Sequence, residues 1–64
     1  MMASLTSDLH RLLVRAGCTK IREGSKHEIW LSPINARSFS VPRTVKSSHT
    51  ANEILKQAGL PKAF

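Results

Sequence analysis

The sequence has few of the residues that stabilise small proteins through covalent or metal cross-links. It has 64 residues and one cysteine, Cys18, so no intramolecular disulfide can form. It also lacks cysteine and histidine spacing suited to structural zinc. No apolar run approaches the roughly 20 residues that cross a bilayer, and residues 1–4 show no signal-peptide pattern. We therefore expect one cytoplasmic domain, residues 1–64, with no metal, no other cofactor and no membrane contact.

Acidic residues are also scarce. Four Asp and Glu stand against ten Lys and Arg, which gives a net charge of +6 and an isoelectric point near 10.5. A charge this large on a small protein favours binding to a polyanion or to an acidic protein. A solvated surface that only maintains solubility is the alternative. The polyanion interpretation is preferred, because nucleic-acid-binding domains typically have isoelectric points above about 9.

Two helices are predicted, one near each end of the chain. An apolar stripe at helical spacing runs through residues 5–16, and Gly17 is a natural helix stop. The sequence Thr50-Ala51-Asn52-Glu53 has the spacing of a capping box, which ties two backbone donors at a helix start. The second helix is therefore expected to start within residues 48–50 and to end at Gly59.

Three strands are predicted between the helices, at residues 18–23, 27–31 and 37–41. Short connections make them an antiparallel meander, and both helices must bury their apolar stripes on one sheet face. We therefore predict an α+β fold of order α-β-β-β-α, with a three-stranded antiparallel sheet that carries both helices on one face. This is the layout of double-stranded-RNA-binding domains. The other face is expected to be open and basic.

The orientation of the second strand is ambiguous, because it is apolar on both faces. If Ile29 and Leu31 pack against the helices, Trp30 lies on the open face, where it could stack on a base or anchor a partner. In the reverse orientation Trp30 belongs to the core. We expect Trp30 on the open face. In the first strand, period-two alternation predicts that Lys20 and Arg22 share a face.

The segment Gly24-Ser25-Lys26-His27 places a histidine at the start of the second strand. RNA cleavage without a metal needs a base for the ribose 2′-OH and an acid for the leaving 5′-oxygen, and imidazole can do either near neutral pH. Nearby cations and backbone N–H groups would stabilise the charge that develops on the phosphorane. From the residues alone, a surface histidine with no task is the commoner explanation.

The pattern Gly-Ser-x-His at residues 24–27, with Val41-Pro42-Arg43 and the helical segment 54–60, resembles the HicA family of bacterial toxins. The resemblance covers roughly residues 5–60. It implies a toxin of a type II toxin–antitoxin system that cleaves mRNA as an endoribonuclease and inhibits translation, with His27 as its single catalytic residue. It also implies a HicB-like antitoxin partner, which we expect to be acidic and to cover the face that holds His27.

Basic residues and the glycine-serine turn are the candidates for RNA contacts. A non-catalytic RNA-binding or antitoxin-binding module of the same fold is the alternative function. His10 and His49 are weaker catalytic candidates, His10 as a partly exposed structural residue and His49 as a helix cap or phosphate contact. The expected RNA-binding set is Lys20, Arg22, Gly24, Ser25, Lys26, Trp30, Arg37, Arg43 and Lys46.

Overall fold

The computed structural model describes residues 4–64, and its elements follow the predicted order. Residues 1–3, on which the expectation about a signal peptide partly depends, lie outside the described residues. The sheet is antiparallel in the order β1-β2-β3, and its buried face and both helices form one core. The predicted α+β layout is confirmed. The elements are α1 (Leu5–Arg15), β1 (Thr19–Glu23), β2 (His27–Leu31), β3 (Ser38–Pro42) and α2 (Ser48–Gln57).

Both helices start after a serine N-cap. The Oγ of Ser4 accepts the N–H of Ser7 at 3.1 Å, and the Oγ of Ser47 accepts the N–H of Thr50 at 3.2 Å. Each bond satisfies a donor that a helix start leaves unpaired. The prediction of a capping box at residues 50–53 is wrong, because the N-cap is Ser47 and Thr50 already lies inside α2.

Both helices stop at a glycine in the left-handed conformation, as predicted. Gly17 has φ +91° and Gly59 has φ +83°. After Gly59 the chain turns back, so that the N–H of Leu60 donates to the C=O of Leu55 at 2.8 Å. At the end of α1 the equivalent bond runs from the N–H of Cys18 to the C=O of Leu13, at 2.9 Å. These are Schellman turns, which satisfy the free carbonyls of a helix end.

The core lies between the two helices and one face of the sheet. Val45, in the connector between β3 and α2, is also buried, at 4% exposure. Its N–H donates to the Oγ1 of Thr6 at 2.8 Å, which ties the segment before α2 to the start of α1. The buried apolar residues are Leu9, Leu13, Cys18, Trp30, Phe39, Val41, Val45, Ala51, Ile54, Leu55 and Ala58.

The register between β2 and β3 determines which sheet face is buried. Trp30 pairs with Phe39, and Ile29 pairs with Ser40. Cross-strand partners share a face, so Trp30 lies against the helices, at 5% exposure. Its predicted position on the open face is wrong. The indole buries a large apolar area there, and its Nε1 donates to Glu28 Oε1 at 3.0 Å.

A β-bulge at Ile21 interrupts the alternation of β1. Lys20 pairs with Trp30, whereas Arg22 pairs with Ile29. Lys20 and Arg22 therefore lie on opposite faces, and the prediction that they share one is wrong. The extra residue of a bulge shifts the pairing by one position, which redirects the side chains that follow it. As a result, Arg22 lies on the open face and Lys20 on the helix side.

The left-handed turn at Gly59 provides a test of how α2 ends. We expect Gly59→Ala to lower the free energy of unfolding by about 1–2 kcal/mol, because an L-residue with positive φ is strained. Its Cβ would also lie 3.0 Å from Ile34 Cγ2. Urea unfolding followed by circular dichroism measures the change.

The matched control is Ala36→Gly, since Ala36 already has φ 56°. Glycine relieves strain there but loses more entropy on folding, so we expect a change within about 1 kcal/mol. A Gly59→Ala protein as stable as the wild type would contradict a strained turn at residue 59.

Candidate functional site

The sheet face that points away from the helices carries the predicted histidine. His27 begins β2 and pairs with Pro42 of β3. It is exposed, on the same face as Ile29. The bulge in β1 adds Arg22 to this face as the cross-strand neighbour of Ile29. The open face therefore combines an imidazole, a guanidinium and apolar surface.

His27 borders a shallow depression at the turn between β1 and β2. Four of the predicted RNA-binding residues line this depression together with His27. An imidazole, two cationic side chains and the backbone of the turn therefore border the same exposed depression. Ile29 also lines the depression, so the prediction that Ile29 packs against the helices is wrong. The lining residues are Arg22, Gly24, Ser25, Lys26, His27 and Ile29.

Gly24 closes this turn by a backbone contact. Its N–H donates to the C=O of His27 at 2.8 Å. A Cβ on Gly24 would lie 3.0 Å from that same oxygen, so the close approach favours glycine. The Gly24 N–H is thus engaged within the turn. Gly24 contributes to the shape of the depression through the turn that this bond closes.

Arg43 follows β3 and reaches the same turn. Its backbone N–H donates to the C=O of Lys26 at 3.0 Å. One guanidinium nitrogen donates to the C=O of Ser25 at 3.4 Å, and the other lies 3.2 Å from Glu23 Oε2. The guanidinium is therefore held between a backbone carbonyl and a carboxylate.

Lys20 and Trp30 belong to a second cluster, on the helix side of the sheet. At its centre is Glu28, a carboxylate with 6% exposure that is not among the predicted site residues. Trp30 Nε1 donates to Glu28 Oε1, and Lys20 Nζ lies 3.8 Å from Oε2. His10 Nε2 lies 3.6 Å from Oε1, and its ring is 5.4 Å from that of Trp30. His10 is thus a partly exposed structural residue, as predicted.

Two further members of the expected RNA-binding set lie away from His27. Arg37 directly precedes β3, at the end of the sheet where Ser38 pairs with Leu31. His27 lies at the opposite end of the same strand pair. Lys46 is exposed in the connector before α2. The depression therefore brings only part of the expected set together with His27.

Among residues 4–64, no group of three or more His, Cys, Asp or Glu side chains is placed to hold a metal ion. None of the helices in that range is long and apolar enough to cross a membrane.

The chain is a small basic α+β protein, with an exposed histidine and cations at a hairpin turn on the open face of its sheet. The model of one family, the HicA toxin of bacterial toxin–antitoxin systems, matches residues 6–60. The chain belongs to the HicA toxin family, so it is a toxin whose partner is an antitoxin. No curated protein and no solved structure matches it.

Burial of Trp30, the one tryptophan of the chain, has a spectroscopic test. We expect the emission maximum of the native protein to lie at shorter wavelength than that of the urea-unfolded protein. Acrylamide quenching should increase on unfolding, because the indole becomes accessible. Addition of single-stranded RNA should leave the emission nearly unchanged, since no base can stack on a buried ring. Strong quenching by RNA without unfolding would show instead that Trp30 contacts bases.

Proposed function

We propose that this toxin is an endoribonuclease that cleaves mRNA and thereby inhibits translation, with His27 as its catalytic residue. The observation that carries the proposal is the exposed imidazole of His27 in a depression that Arg22 and Lys26 also line. Membership of a toxin family and the net charge of +6 support the choice of a polyanionic substrate.

The chemistry requires a proton acceptor beside the ribose. Neutral His27 takes the proton of the 2′-OH, and the resulting oxygen attacks the adjacent phosphorus. The bond from phosphorus to the 5′-oxygen breaks, which leaves a 2′,3′-cyclic phosphate on one fragment and a 5′-hydroxyl on the other. The leaving oxygen takes up a proton from water, to which this exposed site is open. No metal is needed in this sequence of steps.

Positive groups at the site match the charge that develops during the reaction. The phosphorane intermediate carries more negative charge than the phosphodiester, so donors aimed at it lower the barrier. Arg22 reaches the depression because of the bulge in β1, and Lys26 lies in the turn itself. We propose that these two side chains contact the scissile phosphate and its neighbours. Lys20, Arg37 and Lys46 are left as more distant contacts along the RNA.

The proposed antitoxin is of the HicB type and acidic, and it covers the face that holds His27. An acidic surface would complement Arg22 and Lys26, while apolar partner residues could pack on Ile29 and Leu31, which is 39% exposed. Antitoxin and mRNA then compete for one face, so binding of the antitoxin silences the toxin. We propose that toxin and antitoxin are both cytoplasmic.

Removal of the imidazole tests the proposed catalysis. We expect His27→Ala to lower the rate of RNA cleavage by about 10²–10⁴-fold, the usual contribution of one acid–base group. Because His27 is exposed, the variant should keep the circular dichroism spectrum and unfolding midpoint of the wild type. Cleavage of a fluorescent RNA by purified protein, in buffer with EDTA, measures the rate. His49→Ala, which removes an exposed histidine at the start of α2, is the matched control.

Two results would contradict this assignment. If His27→Ala cleaves RNA as fast as the wild type, His27 is not the catalytic residue. If the wild type binds RNA but does not cleave it, the protein is a non-catalytic RNA-binding module. Induced expression links the assay to toxicity, since growth arrest and mRNA decay should both be lost in His27→Ala.

Salt dependence tests the phosphate contacts independently of cleavage. Each phosphate that a cation neutralises adds about 0.7 to the slope of log K against log salt for single-stranded RNA. We expect Arg22→Gln to make that slope shallower by about this amount, measured by fluorescence anisotropy with a 2′-deoxy substrate analogue. Lys56→Gln, a charge change in the last turn of α2, should leave the slope unchanged. An unchanged salt slope for Arg22→Gln would show that Arg22 does not contact a phosphate of the RNA.

A further inference from the structure

We propose that Arg43 is a positioning residue, whose side chain fixes the turn that carries His27, and that it does not bind phosphate. The proposal rests on the proposed role of His27. It replaces the expectation that Arg43 belongs to the RNA-contacting set, and it assigns a specific task to the segment that follows β3.

The contacts of Arg43 all lie on the turn that leads into His27. His27 lies beside the end of β3, where it pairs with Pro42. The next residue of that segment, Arg43, bonds through its N–H to the C=O of Lys26, which directly precedes His27. Its guanidinium then reaches Ser25 C=O at 3.4 Å and Glu23 Oε2 at 3.2 Å. Arg43 thus contacts three residues of the segment that leads into His27, namely Glu23, Ser25 and Lys26.

The shape of the arginine side chain suits this role. A guanidinium has five N–H donors in a rigid plane, so it can bond a carbonyl and a carboxylate at once. A lysine ammonium at residue 43 would keep the charge, but it is a point donor on a flexible stem. The observed bridge between Ser25 and Glu23 therefore depends on arginine. Loss of the side chain leaves only the backbone bond to Lys26.

The charges around Glu23 disfavour a phosphate at Arg43. Its Oε2 faces Arg43, while its Oε1 lies 3.3 Å from Lys20 Nζ. Lys20 in turn approaches the buried Glu28. A phosphate at Arg43 would have to displace, or lie beside, the Glu23 carboxylate, which repels it. Arg22 and Lys26 line the depression without a carboxylate among the lining residues, so they are better placed to meet the phosphate.

These two roles predict different kinetics. A phosphate ligand contributes to binding, so its loss raises KM and makes the salt dependence shallower. A positioning residue affects the geometry of the reacting groups, so its loss lowers kcat and leaves the salt dependence unchanged. Small displacements of a catalytic group are costly, since about 1 Å can reduce the rate about 100-fold.

The experiment compares Arg43→Ala, Arg43→Lys and Glu23→Gln with the wild type. We expect kcat for RNA cleavage to fall about tenfold or more in Arg43→Ala, with KM and the salt slope unchanged. Arg43→Lys should recover only a small part of the loss, and Glu23→Gln should show a smaller loss in the same direction. Arg11→Ala removes one exposed arginine from α1 and is the matched control.

Amide hydrogen exchange gives a readout that does not require activity. The Gly24 N–H, which is bonded to His27 C=O, should exchange faster in Arg43→Ala, whereas amides of α1 should keep their protection. Arg43 and Glu23 have side chains about half exposed, at 51% and 49%, so the substitutions should not unfold the protein. If Arg43→Ala did not fold, Arg43→Lys and Glu23→Gln would carry the same test.

The proposal is overturned if Arg43→Ala raises KM and lowers the salt slope by about 0.7 while kcat is kept, because Arg43 would then be a phosphate ligand. It is also overturned if neither kcat nor the exchange of Gly24 changes. An inactive wild type, or a fully active His27→Ala, would refute the proposed function instead. In that case the hydrogen-exchange result still decides whether Arg43 holds the turn.

Discussion

The pairing of β2 with β3 is the constraint on which the other features of this protein depend. Trp30 opposite Phe39 and Glu28 opposite Val41 give the helices a face to pack on. Because alternate residues point to opposite faces, the same pairing leaves His27 and Ile29 on the open face. A slip by one residue would bury the histidine and expose the tryptophan. Core packing therefore also fixes which side of the sheet carries the candidate site.

The two faces of the sheet place its titratable residues in different surroundings. On the helix side, buried Glu28 accepts from Trp30 and is approached by Lys20 and His10. An isolated buried carboxylate would be costly, so these partners are needed to keep it there. On the open side, His27 is free to face a ligand. The positive charge of the chain is therefore not one uniform surface, since part of it stabilises the fold and part surrounds the depression.

How far the sequence predicts this structure depends on the range of the interactions involved. The stops at Gly17 and Gly59 and the placement of His27 beside a turn follow from local backbone preferences, so they could be foreseen. The burial of Trp30 could not be predicted, since its strand is apolar on both faces and only the pairing with Phe39 decides which face is buried. The separation of Lys20 from Arg22 has a similar cause, because no local pattern marks the bulge at Ile21.

A sheet of three strands has two open edges, and each edge can recruit another strand. The bulge at Ile21 twists β1 away from regular pairing, and charged side chains follow along that strand. At the other edge, Pro42 removes a backbone donor from β3. These are the features by which natural sheets discourage association edge to edge. The irregularity that delivers Arg22 to the open face thus also helps to keep the toxin from aggregating when no antitoxin is bound to it.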